Sequence, residues 1–360
     1  MFSSRSFLAT PYRRLFFLAL LLSFLGLAAV YNSSVVEAFT DFNDKFHFVK
    51  NQLAWVFIGI VLFFTLSRIK PQVFQQFALP LLLFSFLLMF LVFIPGFGPE
   101  LQGARRWLVL GPIHFQPSEF FKLALIIYLS TWLSHSRSLT QFLGFVAFSL
   151  TPLLLQPDLG TSVIVATTSF VLYYLSGADL KKLFSVIVTM GGAGLLLIMG
   201  SSYRMRRLTT FLDPTQDPLG ASYHVNQILL GLGSGGLTGI GLGRSRQKYA
   251  YLPESTTDSI FVVIAEELGF LGASILIALL LLLVLTGFKI ASQVSSQPQK
   301  LLAAGIVLLL LTQIFVNLGS MVALLPLTGM PLPLISYGGT SLISTFVSLG
   351  ILASIARQNS

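Results

Sequence analysis

Charged side chains are scarce in this chain, and most of the ones that could do chemistry fall in a few short stretches. Adjacent Arg105 and Arg106, followed by Trp107, suit phosphate gripping at a membrane edge. Guanidinium groups bind phosphate oxygens in a bidentate fork, and indole rings anchor at the interface. Glu119 and Lys122 stand three residues apart after Gln116-Pro117-Ser118, a spacing that brings them together on one helix face. Ser118 reads as the cap of that helix. An ion pair inside an apolar helix is either a functional site or a structural staple. Asp158, in Gln156-Pro157-Asp158-Leu159-Gly160, can cap the following helix, pair with an arginine or assist a metal.

The longest polar interval runs over 201–258. It opens on Arg204, Arg206 and Arg207, continues through Arg244, Arg246 and Lys248, and closes on Glu254-Ser255-Thr256-Thr257-Asp258. So many cations in one loop suit an anionic partner, although pairing with Asp213, Asp217, Glu254 and Asp258, or with lipid headgroups, would also occupy them. Asp258 stands at the head of an apolar run, where a carboxylate either caps the helix or serves as a general base. Glu266 and Glu267 lie two turns inside that run and need partners or a water-filled cavity, in a structural or metal-assisting role. Gly231, Gly233 and Gly236 spell a dinucleotide fingerprint, with Glu254 about 20 residues on. That fingerprint needs a preceding strand in a parallel sheet, and here the glycines sit in a loop between membrane helices, where they let backbone bend and come close to a neighbour. Leu325–Ser341, which holds Ser336, is rich in proline and glycine and reads as an extended or re-entrant segment lining a cavity. Its Gly338-Gly339-Thr340-Ser341 start to the last helix leaves N–H groups for an anion.

The elements that must position these groups are membrane helices. Of 360 residues, 54% are hydrophobic and 10% charged, against about 25% charged in a soluble domain. The fold class expected is an all-α polytopic membrane protein forming a single transmembrane domain over 1–360. About ten helices account for the apolar runs, near 15–32, 52–67, 73–95, 118–133, 140–156, 160–176, 182–200, 259–288, 301–324 and 338–356. Pro80 is expected to kink the third. Arg13 and Arg14 before the first run read as an uncleaved signal anchor. The long interval apart, Lys and Arg favour the loops on the side of the chain ends, which places both ends in the cytoplasm and the 201–258 loop outside. No cysteine occurs, which excludes disulfides and thiolate metal sites, and the four histidines have no metal-ligand spacing.

Taken in order, Gly103-Ala104-Arg105-Arg106-Trp107, Gln116-Pro117-Ser118-Glu119-x-x-Lys122, Gln156-Pro157-Asp158-Leu159-Gly160-Thr161, Asp217-Pro218-Leu219-Gly220, Tyr251-Leu252-Pro253-Glu254, Glu266-Glu267-Leu268-Gly269 and Pro331-Leu332-Pro333-Leu334-Ile335-Ser336-Tyr337-Gly338-Gly339 resemble the SEDS family of bacterial shape, division and sporulation proteins. Residues 241–248 are more similar to its FtsW branch than to its RodA branch. The resemblance implies a ten-helix glycosyltransferase of the cytoplasmic membrane that polymerises lipid II on the outer face. It makes Asp258 the catalytic carboxylate. Arg105, Arg106, Glu119, Lys122, Arg204, Arg206, Arg207, Lys248, Glu254 and Ser336 become candidates for holding the pyrophosphate or sugar. It further implies a class B penicillin-binding protein (a transpeptidase) and other divisome or elongasome proteins as partners, membrane lipid around the chain, and no nucleic acid. A divalent cation, Mg or Mn, would suit the leaving pyrophosphate, with no ligand set legible. The family pattern has His two residues before the catalytic Asp and Phe just after it; here Thr256 and Ser259 stand there. The competing readings are a lipid II flippase or other carrier, and a non-catalytic scaffold for the transpeptidase.

Overall fold

The apolar runs fold as helices in the computed structural model, which describes residues 10–359 apart from 101–102, 112, 136, 250 and most of 180–221. The helices are α1 (Pro11–Phe42), α2 (His47–Leu66), α3 (Pro71–Gln76), α4 (Ala78–Leu91), α5 (Pro117–Trp132), α6 (Leu139–Leu155), α7 (Leu159–Leu175), α8 (Tyr223–Gly235), α9 (Ile260–Ser292), α10 (Gln297–Met321) and α11 (Gly339–Gln358). Helices α1, α2, α9, α10 and α11 are each long and apolar enough to cross a bilayer, and α4, α6 and α7 are shorter apolar helices. The chain is a multi-pass membrane protein.

Helix α10 is the hub. It is buried over most of its length and packs against α5, α7, α9 and α11. Around it α1, α2, α9 and α11 share one core, and α4, α5, α6 and α7 share a second, where Phe142 stacks on Tyr173. The Arg357 guanidinium at the end of α11 lies over the Tyr12 ring at the start of α1, 5.2 Å from its centroid. Both chain ends therefore share one end of the bundle.

Several boundaries differ from the sequence expectation. α1 runs ten residues past 32, because Asn32-Ser33-Ser34 interrupts the apolar run without breaking the helix; Ser33 returns its hydroxyl to the Val30 carbonyl. The third apolar run splits at Phe77 rather than kinking at Pro80. Pro80 falls in the first turn of α4, where a missing N–H costs little. Ser118 is not the cap of α5. Pro117 takes the first helical position, which moves the N-cap to Gln116. A two-stranded hairpin, β1 (Leu108–Leu110) and β2 (Ile113–Phe115), pairs Val109 with His114 just before α5, a small exception to an all-α class. The span expected at 182–200 lies largely outside the described residues.

The 201–258 interval is more than a loop, for it contains α8. Val225, Ile228, Gly231 and Gly235 form its buried face against α9. A Cβ at Gly231 would meet Val262, and one at Gly235 would meet the Ala265 carbonyl, so the two helices touch backbone to backbone. α9 itself is interrupted at Gly269, whose φ of 68° and ψ of −170° only glycine adopts readily. The glycine loop after α8 takes over the hydrogen bonds lost at the break. Ile240 and Gly241 donate to the Glu266 and Glu267 carbonyls at 3.1 Å, and Phe270 and Leu271 donate to Gly236 and Leu237 at 2.9 and 3.1 Å. At membrane depth each such group left unpaired would cost several kcal/mol. Gly239, with φ of 80°, packs so closely on Glu267 that a Cβ would collide with its carbonyl. We expect Gly239→Ala to destabilise the protein by at least ~1–3 kcal/mol, read as a lower thermal midpoint in detergent.

Candidate active site

At the end of the bundle opposite the chain ends, α1, α10 and the segment leading into α11 converge on the turn before α9. α11, whose last turn lies beside Tyr12, begins there at Gly339, and α1 brings Glu37 there. The 20 residues of α11 span about 30 Å, roughly a hydrocarbon thickness, so the turn and the chain ends lie at opposite ends of a membrane-length helix.

Asp258 is buried, 6% exposed, one residue before the N-cap Ser259. It therefore does not cap α9. Its carboxylate lies 3.2 Å from the Thr257 hydroxyl, which is closer to Glu254 at 2.8 Å, so one hydroxyl with a single proton stands between two carboxylates. The backbone carbonyls of the turn are held from the α10–α11 side. Asn317 on α10 donates to the Asp258 carbonyl at 2.9 Å and to the Met330 carbonyl at 2.7 Å. Ser336 donates to the Thr257 carbonyl at 2.6 Å, and Tyr337 N–H donates to the Thr256 carbonyl at 3.0 Å. A Cβ on Gly329, whose φ is 69°, would stand 3.9 Å from the Asp258 carboxylate, so the 325–338 segment passes directly over the acid. Glu37 accepts from the Thr256 hydroxyl at 3.4 Å. At the exposed rim Lys50 donates to Asp44 at 2.8 Å and holds that carboxyl below its ordinary range.

Lys122 and Glu119 form a buried ion pair at 2.7 Å, with side chains 1% and 3% exposed. Lys122 also donates to Gln313 at 2.9 Å, and Gln313 donates to the Pro331 carbonyl at 3.0 Å. Gln313 and Asn317, one turn apart on α10, thus tie this pair and the Asp258 turn to the same loop. Neither residue was anticipated. Their only signal is an i, i+4 pair of amides within an apolar run, and such amides seek partners across helices.

The other candidates divide between scaffold and rim. Asp158 is the N-cap of α7, accepting from the Thr161 N–H at 3.1 Å and its hydroxyl at 2.8 Å. Arg106 donates to the Gln156 and Pro157 carbonyls just before it. Arg105 is half-exposed and 3.8 Å from Glu100. Lys248 is buried, donating to Asn32 at 3.0 Å, to the Gly243 carbonyl at 2.6 Å and to Glu267 at 3.4 Å. Glu267 also accepts from the N–H groups of Gly243 and Ser245 at 3.0 Å and from Asn32, while Glu266 accepts from Ser234, Ser245 and Arg246 N–H. These acids bind the glycine loop to α9. Arg204, Arg206 and Arg207 lie outside the described residues. Among the described residues no three His, Cys, Asp or Glu side chains gather into a group that could hold a metal ion, so no step is assigned to one.

Beside the site a cavity of about 230 Å³, almost wholly apolar, opens between α2, α5, α11 and the hairpin, lined by Trp55, His114, Phe120, Leu123, Gly339 and Ile343. Gln52 of α2 donates to the Ser336 carbonyl at 3.1 Å and accepts from Gly338 N–H, joining the cavity wall to the loop over Asp258. Because Lys122 balances Glu119 in a site closed to water, Lys122→Met alone is expected to cost ~3–5 kcal/mol of stability. The pair Glu119→Gln with Lys122→Met should recover most of that loss in a thermal melt.

The family model described as cell cycle protein, covering FtsW, RodA and SpoVE, matches residues 12–360. The chain is 36% identical over 359 residues to stage V sporulation protein E of Bacillus subtilis (strain 168), covering 97% of this chain and 98% of that one. It is 37% identical over 350 residues to a probable peptidoglycan glycosyltransferase FtsW of Geobacter sp. (strain M18), covering 95% of each. Its fold is similar to a chain studied for "structural coordination of polymerization and crosslinking by a peptidoglycan synthase complex", with a TM-score of 0.77 and 31% identity over 96% of this chain and 97% of that one. It is also similar to the rod shape determining protein RodA of Thermus thermophilus, with a TM-score of 0.69 and 30% identity over 96% of each. A family match across nearly the whole length, with relatives 36% and 37% identical over almost all of both chains, establishes that the chain belongs to the FtsW/RodA/SpoVE family.

Proposed function

We propose that the chain is a peptidoglycan glycosyltransferase of the FtsW-like branch, polymerising lipid II at the outer face of the bacterial cytoplasmic membrane. The observation that carries this reading is the cradle of Asp258: one buried carboxylate whose turn is held by α10 and by the 325–338 loop, at the end of the bundle opposite the chain ends. Curated relatives named as probable peptidoglycan glycosyltransferases support the activity.

Asp258 takes the proton of the acceptor sugar's 4-hydroxyl as that oxygen attacks the anomeric carbon of the donor. The undecaprenyl pyrophosphate leaves with inversion. General-base help of this kind contributes about 10²–10⁴-fold. Glu254, sharing the Thr257 hydroxyl, orients the acid from the exposed side. Charge on the leaving pyrophosphate is met by Arg105, which is half-exposed, and by Arg204, Arg206 and Arg207 of the long interval. Lys122, Lys248 and Arg106 act indirectly, because each is committed to internal partners. Two substrates anchored in one membrane surface make proximity a large part of the rate. A class B penicillin-binding protein is the partner that would cross-link the product, in keeping with the likeness to a chain of a peptidoglycan synthase complex.

Asp258→Asn is expected to lower polymer formation by purified protein about 10²–10⁴-fold, with expression and thermal midpoint kept, in gels of labelled lipid II products. Glycan chains from the Asn variant at the wild-type rate would refute the assignment. The same assay in detergent, with and without the transpeptidase, separates a polymerase from a flippase, since a flippase makes no glycan there.

A further inference from the structure

We infer that His224 is a positioning residue for the transfer, its imidazole holding Ser259 and, through it, the turn that carries Asp258. This rests on the reading of Asp258 as the base. Ser259 is fully buried, 0% exposed, and a buried hydroxyl without a partner costs about 1–3 kcal/mol. Its oxygen lies 2.8 Å from His224 Nε2. The histidine sits in the first turn of α8, and α8 is fixed on α9 by the close approaches at Gly231 and Gly235. The imidazole therefore reaches Ser259 from a rigid element.

The neighbouring contacts give this bond its consequence. The carbonyls of Thr256, Thr257 and Asp258 are held by Tyr337, Ser336 and Asn317, all from the α10–α11 side. The Ser259 N–H donates to the Glu254 carbonyl at 3.1 Å, which closes the turn on itself. The His224 bond attaches the next side chain to α8, on the other flank of α9. The peptide leaving Asp258 is thus fixed from two directions, which limits the rotation available to its carboxylate. A misplacement of about 1 Å in such a group is enough to cost on the order of 10²-fold in rate.

The test uses the full-length protein in detergent, with lipid II polymerisation measured over a range of lipid II concentrations. His224→Ala and Ser259→Ala are each expected to lower kcat about five- to tenfold with KM unchanged, and the double variant no further than either single one. His224→Gln, whose amide can also bond to Ser259, should recover most of the wild-type kcat. Full kcat in both alanine variants, additive losses, or a rise in KM at unchanged kcat would each overturn the inference. If His224→Ala does not fold, Ser259→Ala, which removes a single oxygen, decides alone. Wild-type protein and Asp258→Asn run in parallel. No polymer from wild type refutes the glycosyltransferase reading, and polymer from the Asn variant at the wild-type rate refutes Asp258 as the base, whereas a normal wild-type/Asn contrast with unaffected alanine variants refutes only the role of His224.

Discussion

A helix buried in a membrane can be interrupted only where other protein atoms take over its backbone hydrogen bonds, and the break of α9 at Gly269 imposes that condition on much of the molecule. The glycine loop meets it with four backbone hydrogen bonds across the break. That loop must in turn be held, and Glu266 and Glu267 hold it by accepting its N–H groups and hydroxyls. Lys248 and Asn32 complete the charge and hydrogen-bond balance around Glu267. Ordering the loop fixes α8 against α9, and α8 places His224 on Ser259. A backbone requirement two turns inside α9 is thereby connected to the turn at its head.

The second organising device is α10. Buried on nearly every side, it can carry polar side chains only if each finds a partner. Gln313 and Asn317 find theirs in Lys122, in the carbonyls of Met330 and Pro331, and in Asp258. The proline-rich segment that lacks helical hydrogen bonds of its own is stitched down by these amides and by Ser336 and Gln52. The site is consequently a rigid cradle of side chain to backbone bonds around one acid. The buried Lys122–Glu119 pair is tied to that cradle through Gln313, whereas Arg105 stays half-exposed beside Glu100.

Much of this was legible in the sequence, because the signals involved are local. Long apolar runs with few charges can satisfy their backbone in a bilayer only as helices, so the membrane class followed from composition, and the ordered motifs pointed to the family. Asp158 next to a helix start already implied a cap. Glu119 and Lys122 at i, i+3 already implied a pair. The places where glycine is needed for close approach are also marked in the sequence, although α8 among them reads there as loop, since a 13-residue helix with three glycines has weak propensity and forms by packing on α9.

What the sequence alone left open were the pairings between residues far apart in the chain. By its position alone Asp258 reads more readily as a cap than as a base, and only the fold puts Asn317, Ser336 and Gly329 around it and leaves Ser259 as the N-cap. Lys248 carried the same charge as a phosphate ligand would, and only its burial against Glu267 and Asn32 gave it a scaffold role. Glu37 and His224 bore no motif at all. The physical reason is the same in each case. A residue's type and spacing set which bonds it can make along its own helix, whereas burial and the approach of other helices decide which of them it does make.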